Sequence, residues 1–210
     1  MLAGGVGPCA FKMQQKRQEK KAGSVRIIGG QWRSRVIDFP ALPGLRPTPN
    51  RLRETLFNWL QFDIAGARCL DLYAGSGVLG LEALSRGAAS ATLVDTQSAA
   101  CLALRANVRQ LGAAAEVVQS DVMRYLAGTA TPYDLVFLDP PFAQNLVIGG
   151  CQLLEARGWL AATAMGYVEA ERILVVEDIP RVWQTFRSKT AGGVASHLYQ
   201  RQPSADNHSS

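Results

Sequence analysis

Residues 133–142 read Tyr-Asp-Leu-Val-Phe-Leu-Asp-Pro-Pro-Phe, and this stretch decides the fold. The apolar run at 135–138 is typical of a strand that is buried on both faces of a sheet. Two prolines end the strand, because neither has an N–H to donate to a neighbouring strand. Asp139 is therefore expected at the carboxyl end of a central strand, where open α/β sheets bind their ligands.

Strand and helix patterns alternate on both sides of this stretch. Strands are predicted at 69–72, 91–94 and 116–118, and helices at 79–84, 98–111, 121–126 and 146–156. Strand-like segments follow at 166–168 and 173–176, and a closing hairpin at 182–186 and 194–199. This alternation predicts an α/β fold with a mostly parallel, seven-stranded sheet, helices on both faces and an antiparallel C-terminal hairpin.

The chain divides into four predicted segments. Residues 1–23 form a basic arm that is expected to be flexible, and 203–210 form a polar tail that is expected to be disordered. Residues 24–49 hold a small β-hairpin and a loop rich in Arg and Pro, and 50–202 form the α/β domain. The helix after Pro49 is expected to be capped by Thr48, with Arg51 and Arg53 off its buried stripe.

Charge is distributed unevenly along the chain. The net charge is +5, but residues 1–53 carry +9 and residues 54–210 carry −4. A basic front end predicts a polyanionic partner, and the alternative is a solvated basic tail. The 4 cysteines show no metal-like spacing with the 2 histidines, so free thiols, no metal and a cytoplasmic location are expected. No apolar run has the length of a membrane span, and no membrane partner is expected.

A glycine-rich turn lies between the first strand and helix of the domain. Gly75, Gly77 and Gly80 satisfy Gly-x-Gly-x-x-Gly, a pattern that dinucleotide dehydrogenases share. Asp71, just before the turn, would repel a pyrophosphate and suits a ligand that carries a cationic amine. The alternative is a glycine turn with an Asp cap.

Two further carboxylates end the next strands. Asp95 can accept hydrogen bonds from both ribose hydroxyls, and Asp121 can accept one from the exocyclic amine of an adenine. Asp121 could also serve as the N-cap of the following helix. An adenine, a ribose and a cationic amine describe S-adenosylmethionine better than a dinucleotide.

The loop at 139–142 fits a planar amine. Asp139 and the Pro140 carbonyl can accept both N–H bonds of an aromatic exocyclic amine and so orient its lone pair. Pro141 stiffens the loop, and Phe142 can stack on the base. The alternative is a strand-terminating Asp-Pro turn.

The Asp-Pro-Pro-Phe motif resembles that of class I amino-methyltransferases, and the chain from 26 to 202 resembles the RsmD family of bacterial 16S rRNA guanine-N2 methyltransferases. The more family-specific segments are Gly-Leu-Arg-Pro-Thr at 44–48 and Arg-Leu-Arg-Glu-Thr-Leu-Phe-Asn at 51–58. The resemblance implies a Rossmann-like class I fold with S-adenosylmethionine as cofactor and S-adenosylhomocysteine as product. It also implies a monomer that acts on 16S rRNA in the small ribosomal subunit or an assembly intermediate.

The resemblance also implies roles for individual residues. Asp139, Pro140, Pro141 and Phe142 would hold the target guanine. The cofactor would be bound by Asp71, Tyr73, Ala74, Gly75, Ser76 and Gly77 at its methionine end, by Asp95 and Thr96 at the ribose, and by Asp121 and Val122 at the adenine. RNA would be contacted by Arg33, Arg35, Arg46, Thr48, Arg51 and Arg53. The sequence departs from the family pattern at Thr96-Gln97, directly after Asp95, where many relatives carry a further acid.

Two other functions remain open on the sequence. The same loop chemistry would serve a DNA adenine or cytosine N-methyltransferase, although the chain has no obvious target-recognition domain. A non-catalytic RNA-binding assembly factor with a vestigial cofactor fold is the alternative from another class.

Overall fold

The computed structural model describes residues 23–141, 146–171, 179–191 and 194–202. Within these ranges the chain forms nine strands and five helices. The strands are β1 (Gly23–Arg26), β2 (Val36–Phe39), β3 (Arg68–Leu72), β4 (Ser90–Asp95), β5 (Ala115–Gln119), β6 (Tyr133–Leu138), β7 (Leu160–Glu171), β8 (Trp183–Ala191) and β9 (Val194–Arg201). The helices are α1 (Asn50–Trp59), α2 (Val78–Ser85), α3 (Ser98–Leu111), α4 (Val122–Leu126) and α5 (Leu146–Ala156).

Seven strands form one sheet in the order β5-β4-β3-β6-β7-β9-β8. The pairs from β5 to β7 are parallel, while β9 is antiparallel to both β7 and β8. The predicted α/β class, the seven strands and the antiparallel C-terminal hairpin are confirmed. The chain moves outward from β3 to β5 and then returns to the other side of β3 with β6. The crevice at the carboxyl ends of β3 and β6 is therefore the topological switch point, where such sheets bind ligands.

The central strands are buried on both faces. Leu135 and Phe137 of β6 belong to one apolar cluster, and Val136 and Leu138 belong to the other. Since successive side chains of a strand point to opposite faces, a strand between two helical layers must be apolar at every position. This arrangement explains the continuous apolar run that precedes Asp139.

The N-terminal hairpin packs against α2 and α3. Glu82 of α2 accepts hydrogen bonds from the backbone N–H groups of Ile28 and Gly29, at 2.9 and 2.7 Å. Asn107 of α3 donates to the Asp38 carbonyl at 2.8 Å. Gly30 has φ +74°, and a Cβ there would lie 1.8 Å from the Ser85 carbonyl oxygen, so only glycine fits. The small two-stranded sheet, which could not be stable alone, is held by the larger domain.

Two local predictions are wrong. Thr48 does not cap α1, because Pro49 is the N-cap residue and no side chain bonds there. Arg53 is fully buried and not off the buried face of α1. The strand expected at 166–168 is part of the much longer β7. The segment predicted at 173–176, the tail at 203–210 and all of the arm at 1–23 except residue 23 lie outside the described residues.

Candidate active site

The glycine turn links β3 to α2 in an unusually tight backbone path. Tyr73, Gly75 and Gly77 all have positive φ angles of 63°, 53° and 75°. A Cβ on Gly77 would lie 2.3 Å from the Leu104 side chain, so there is no space for a larger residue at this position. A non-glycine residue with positive φ is strained, and such residues concentrate at ligand sites.

The side chains of the turn point mostly into the protein. Tyr73 packs against the apolar cluster of Leu72 and Leu138, and among the described residues its hydroxyl has no hydrogen-bond partner. Ala74 and Ser76 are buried. The surface that this turn offers to a ligand is therefore largely backbone, as expected where a ligand approaches the main chain closely.

Three carboxylates lie near one another at the ends of β3, β4 and β6. Asp71 is buried, and its Oδ2 accepts a hydrogen bond from the Gly80 N–H at 2.9 Å. Burial raises the pKa of Asp71 well above its usual range, and the negative charges of Asp139 and Asp95 raise it further. Among the residues that the structure describes, no Lys or Arg forms an ion pair with these three carboxylates. Such a cluster favours a cationic ligand, which would stabilise the ionised carboxylates.

Asp95 joins the end of β4 to the glycine turn. Its Oδ2 accepts from the Gly75 N–H and its Oδ1 from the Gln97 N–H, both at 2.8 Å. Thr96 beside it is exposed. Asp121 is exposed after β5 and accepts from the Arg124 N–H at 3.0 Å as the N-cap of α4, while Val122 is buried. The capping role that the sequence left open for Asp121 is confirmed, and it leaves the second carboxylate oxygen available.

Asp139 directly follows β6 and is half-buried. The Thr48 hydroxyl donates to its Oδ2 at 3.3 Å. Burial and then the nearby Glu169 carboxylate raise the pKa of Asp139 to about 7, while the hydrogen bond from Thr48 acts in the opposite direction. Pro140 is buried and Pro141 is exposed. Phe142 lies outside the described residues, so its predicted stacking on the base stays a prediction.

Glu169 is a residue that sequence reasoning missed. Leu138 pairs with Val168, which places Asp139 and Glu169 at the same level on adjacent strands. Glu169 is buried, and its Oε2 accepts a hydrogen bond from the Tyr167 hydroxyl at 3.0 Å. An acid near the end of an otherwise apolar strand was the available signal, but the sequence does not show that β7 neighbours β6.

A buried ion pair connects the N-terminal segment to the site. Arg53 lies 3.1 Å from Glu82, and both side chains are fully buried. The Arg53 Nε donates to the Thr48 carbonyl at 3.1 Å, and Nη2 donates to the Arg26 carbonyl and the Asn50 side chain. Arg53 therefore holds the loop from which the Thr48 hydroxyl reaches Asp139.

The predicted RNA contacts separate into two groups. Arg33, Arg35, Arg46 and Arg51 are exposed, as a phosphate contact requires. Arg53 is 0% and Thr48 is 7% exposed, and each is engaged inside the protein, so neither offers the free surface that a phosphate contact requires. Their place in the sequence among exposed arginines gave no sign of this difference.

Two further properties of the described residues concern ligands and membranes. No group of three or more His, Cys, Asp or Glu side chains among them could hold a metal ion. In the same part of the chain, no helix is long and apolar enough to cross a bilayer.

The parallel sheet, the glycine turn at its switch point and the carboxylates at the strand ends together define a Rossmann-like class I methyltransferase fold. The chain belongs to the family described as Conserved hypothetical protein 95, whose profile matches residues 25–200. This match, together with 50% identity to a protein named Ribosomal RNA small subunit methyltransferase D, confirms the resemblance to the RsmD family.

Named relatives agree with this assignment. The chain is 50% identical over 189 residues to Ribosomal RNA small subunit methyltransferase D of Escherichia coli, which covers 90% of this chain and 96% of the relative. The solved structure of the Escherichia coli protein yhhF matches with a TM-score of 0.80 and 50% identity, over 87% of this chain and all of that one. The 16S rRNA N2 methyltransferase RsmC of Thermus thermophilus, solved with AdoMet and guanosine, is 20% identical with a TM-score of 0.65, over 87% of this chain and 50% of that one. At that identity the RsmC likeness shows the fold alone.

Proposed function

We propose that this protein transfers the methyl group of S-adenosylmethionine to the exocyclic N2 amine of a guanine in small-subunit rRNA. The observation that carries the proposal is the position of Asp139 at the switch point, bonded to Thr48 and facing the carboxylates that suit a cationic cofactor. Family membership supports an rRNA substrate, since the Escherichia coli relative is named as a small-subunit rRNA methyltransferase.

Cofactor binding would use the carboxylates and backbone of the β3–α2 side. S-adenosylmethionine is the methyl donor of this class of protein and supplies the electrophilic methyl group. Asp71 would neutralise the positive charge at the methionine end, and the backbone of 73–77 would line it. Asp95 would accept from the ribose hydroxyls, beside Thr96, and Asp121 from the adenine amine, beside Val122.

Substrate orientation would use the loop after β6. The Asp139 carboxylate and the Pro140 carbonyl would each accept one N–H of the guanine amine, so that its lone pair points toward the methyl group. The Thr48 hydroxyl holds Asp139 in place. Because the pKa of Asp139 is about 7, the carboxylate can take the amine proton as the N–C bond forms and release it to water near neutral pH.

The substrate would be folded RNA, either in the small subunit or in an assembly intermediate. A guanine inside a stacked or paired region must first be exposed, at a cost of a few kcal/mol. The exposed arginines of the N-terminal segment would contribute phosphate contacts that offset part of this cost.

Methyl transfer from labelled S-adenosylmethionine to small subunits from a strain that lacks this gene tests the proposal. Label is expected at one guanine of the rRNA, and an RNA digest analysed by mass spectrometry identifies N2-methylguanine. Asp139→Ala is the control and should lose the label while it still binds S-adenosylhomocysteine in calorimetry. Label on DNA or protein but never on rRNA would contradict the proposed substrate. Failure of the wild-type chain to bind S-adenosylhomocysteine would favour a non-catalytic assembly factor.

A further inference from the structure

The outer edge of the sheet carries an aromatic ring and a guanidinium group packed together. Phe186 occupies a β-bulge in β8, where the pairing changes from Thr185 with Tyr199 to Arg187 with Leu198. The Arg187 guanidinium lies 4.4 Å from the centre of the Phe186 ring, and its Nη1 donates to the Phe186 carbonyl at 2.9 Å. Phe186 as a whole residue is 37% exposed. A bulge redirects a side chain, and this one presents Phe186 and Arg187 to solvent as a unit.

The register of the sheet places this edge on the same level as the candidate active site. Glu169 pairs with Ser196, and Ser196 pairs with Lys189 of β8. Tyr167 pairs with Leu198, and Leu198 pairs with Arg187. Paired residues point to the same face, so the cations of β8 lie across the sheet from Glu169 on one face.

Helix α1 covers that face and links the edge to the N-terminal arginines. Lys189 Nζ donates to the Thr55 hydroxyl of α1 at 3.0 Å. Thr55 lies one turn after Arg51, which is exposed, and its hydroxyl donates to the Arg51 carbonyl at 2.9 Å. Just before the same helix, the Thr48 hydroxyl donates to Asp139. The Arg51 backbone and the Lys189 side chain thus meet at Thr55, and Arg187 lies two residues before Lys189 on β8, so cations are present from the start of α1 to the sheet edge.

Edge strands often carry Lys or Arg only to prevent pairing with another chain. Protection against such pairing does not explain two features of β8. Its sequence, Trp-Gln-Thr-Phe-Arg-Ser-Lys-Thr-Ala, contains no acid, although residues 54–210 as a whole carry −4. An exposed aromatic ring also does not protect an edge strand from associating with another chain. An aromatic ring beside cations is instead the usual stacking surface for a nucleic-acid base.

We propose that the edge formed by Phe186, Arg187 and Lys189 is a second RNA contact. A base of single-stranded rRNA next to the target guanine stacks on Phe186, and Arg187 and Lys189 contact the adjacent phosphates. This inference rests on the proposed function, because it assigns RNA as the partner of the same enzyme.

Direct binding of small-subunit rRNA to the full chain, with S-adenosylhomocysteine present, tests the contact separately from catalysis. Phe186→Ala should weaken RNA binding by about tenfold. Phe186→Trp should bind RNA as tightly as the wild type, whereas Phe186→Leu should be weakened like Phe186→Ala, because stacking needs a π-face. Arg187→Ala with Lys189→Ala should reduce the slope of log affinity against log salt by about 1.4, at about 0.7 for each phosphate contact. Arg109→Ala with Arg157→Ala is the matched control, since it also removes two exposed cations, both away from this edge.

The outcomes of this experiment separate the two proposals. Unchanged RNA affinity in Phe186→Ala and in the Arg187 and Lys189 double variant would overturn the edge contact, whether or not the enzyme methylates rRNA. Affinity in Phe186→Leu equal to that of the wild type would overturn the stacking role. If the edge variants lose RNA affinity but the wild type transfers no methyl group to rRNA, the proposed function fails while the RNA contact stands. Unchanged thermal unfolding and S-adenosylhomocysteine binding in each variant show that the fold is intact.

Discussion

At the scale of single residues, the protonation of Asp139 controls what the site can do. The ionised carboxylate accepts the amine N–H more strongly than the carboxylic acid does, and it alone can take up the amine proton, so kcat/KM should rise with pH through about 7, the pKa of Asp139. Glu169→Gln removes the neighbouring negative charge and should move this rise to lower pH. Glu116→Gln changes an exposed acid on β5 and serves as the control. A midpoint that stays the same in Glu169→Gln would show that the two carboxylates do not interact.

The same carboxylate should cost stability at neutral pH. Its folded pKa of about 7 exceeds the value of about 4 in the unfolded chain, so folding favours the protonated form. The protonated carboxyl therefore stabilises the fold relative to the ionised carboxylate. This contribution is fully present below about pH 4 and is lost as pH rises through about 7. Asp139→Asn should therefore be more stable than the wild type by about 1–2 kcal/mol at pH 8 and equally stable at pH 4, while turnover is lost. Urea unfolding at both pH values measures this, and a difference that does not change with pH would contradict it.

At the scale of elements, α1 connects the N-terminal hairpin, α2 and the site through Arg53. Arg53→Met would leave Glu82 paired only with Arg86, whose Nε lies 3.0 Å from Glu82 Oε1, and would remove the donor to the Thr48 carbonyl. The loss should be about 3 kcal/mol of unfolding free energy, at the lower end for a buried pair with one partner removed, because Arg86 still compensates part of the Glu82 charge. Burial also lowers the pKa of Arg53, consistent with the cost of placing its charge in the core.

Arg51→Met is the matched control, because Arg51 lies on the exposed face of the same helix. Its unfolding free energy should stay within about 0.5 kcal/mol of the wild type. Urea unfolding of the two variants distinguishes the positions, and equal stability of Arg53→Met and Arg51→Met would contradict the role of Arg53 in holding the hairpin and the Thr48 loop.

At the scale of the whole molecule, negative charge is concentrated inside the site and positive charge around it. Four exposed arginines of the N-terminal segment, at 33, 35, 46 and 51, can each neutralise one phosphate. They should contribute a slope of about −3 to log RNA affinity against log salt, at about −0.7 per phosphate. Arg46→Ala with Arg51→Ala should flatten the measured slope by about 1.4. Arg109→Ala with Arg157→Ala, two exposed cations elsewhere, should leave the slope unchanged, and an equal effect of both pairs would indicate only a general charge effect.

Much of the architecture could be predicted from sequence, because its causes are local. Apolar periodicity predicted most of the strands and helices, and α3 ends at Gly112, in the left-handed conformation that glycine adopts readily. The alternation of strands and helices was enough for the parallel sheet, and the Asp-Pro-Pro turn and the glycine turn both lie at its carboxyl edge. The ligand roles of their residues remain predictions.

What the sequence by itself determined is the order of the elements and the chemistry at the strand ends, because spacing and turn residues act within a few positions of the chain. Only the tertiary structure decided which polar residues are buried and which meet. In the folded chain Arg53 forms an ion pair with Glu82 in the interior. The Thr48 hydroxyl donates to Asp139, which lies 91 positions later in the sequence, and Glu169 lies beside that carboxylate. These contacts depend on how helices and strands pack, and a helical face or a strand neighbour is chosen by the whole core rather than by the residues next to it in sequence.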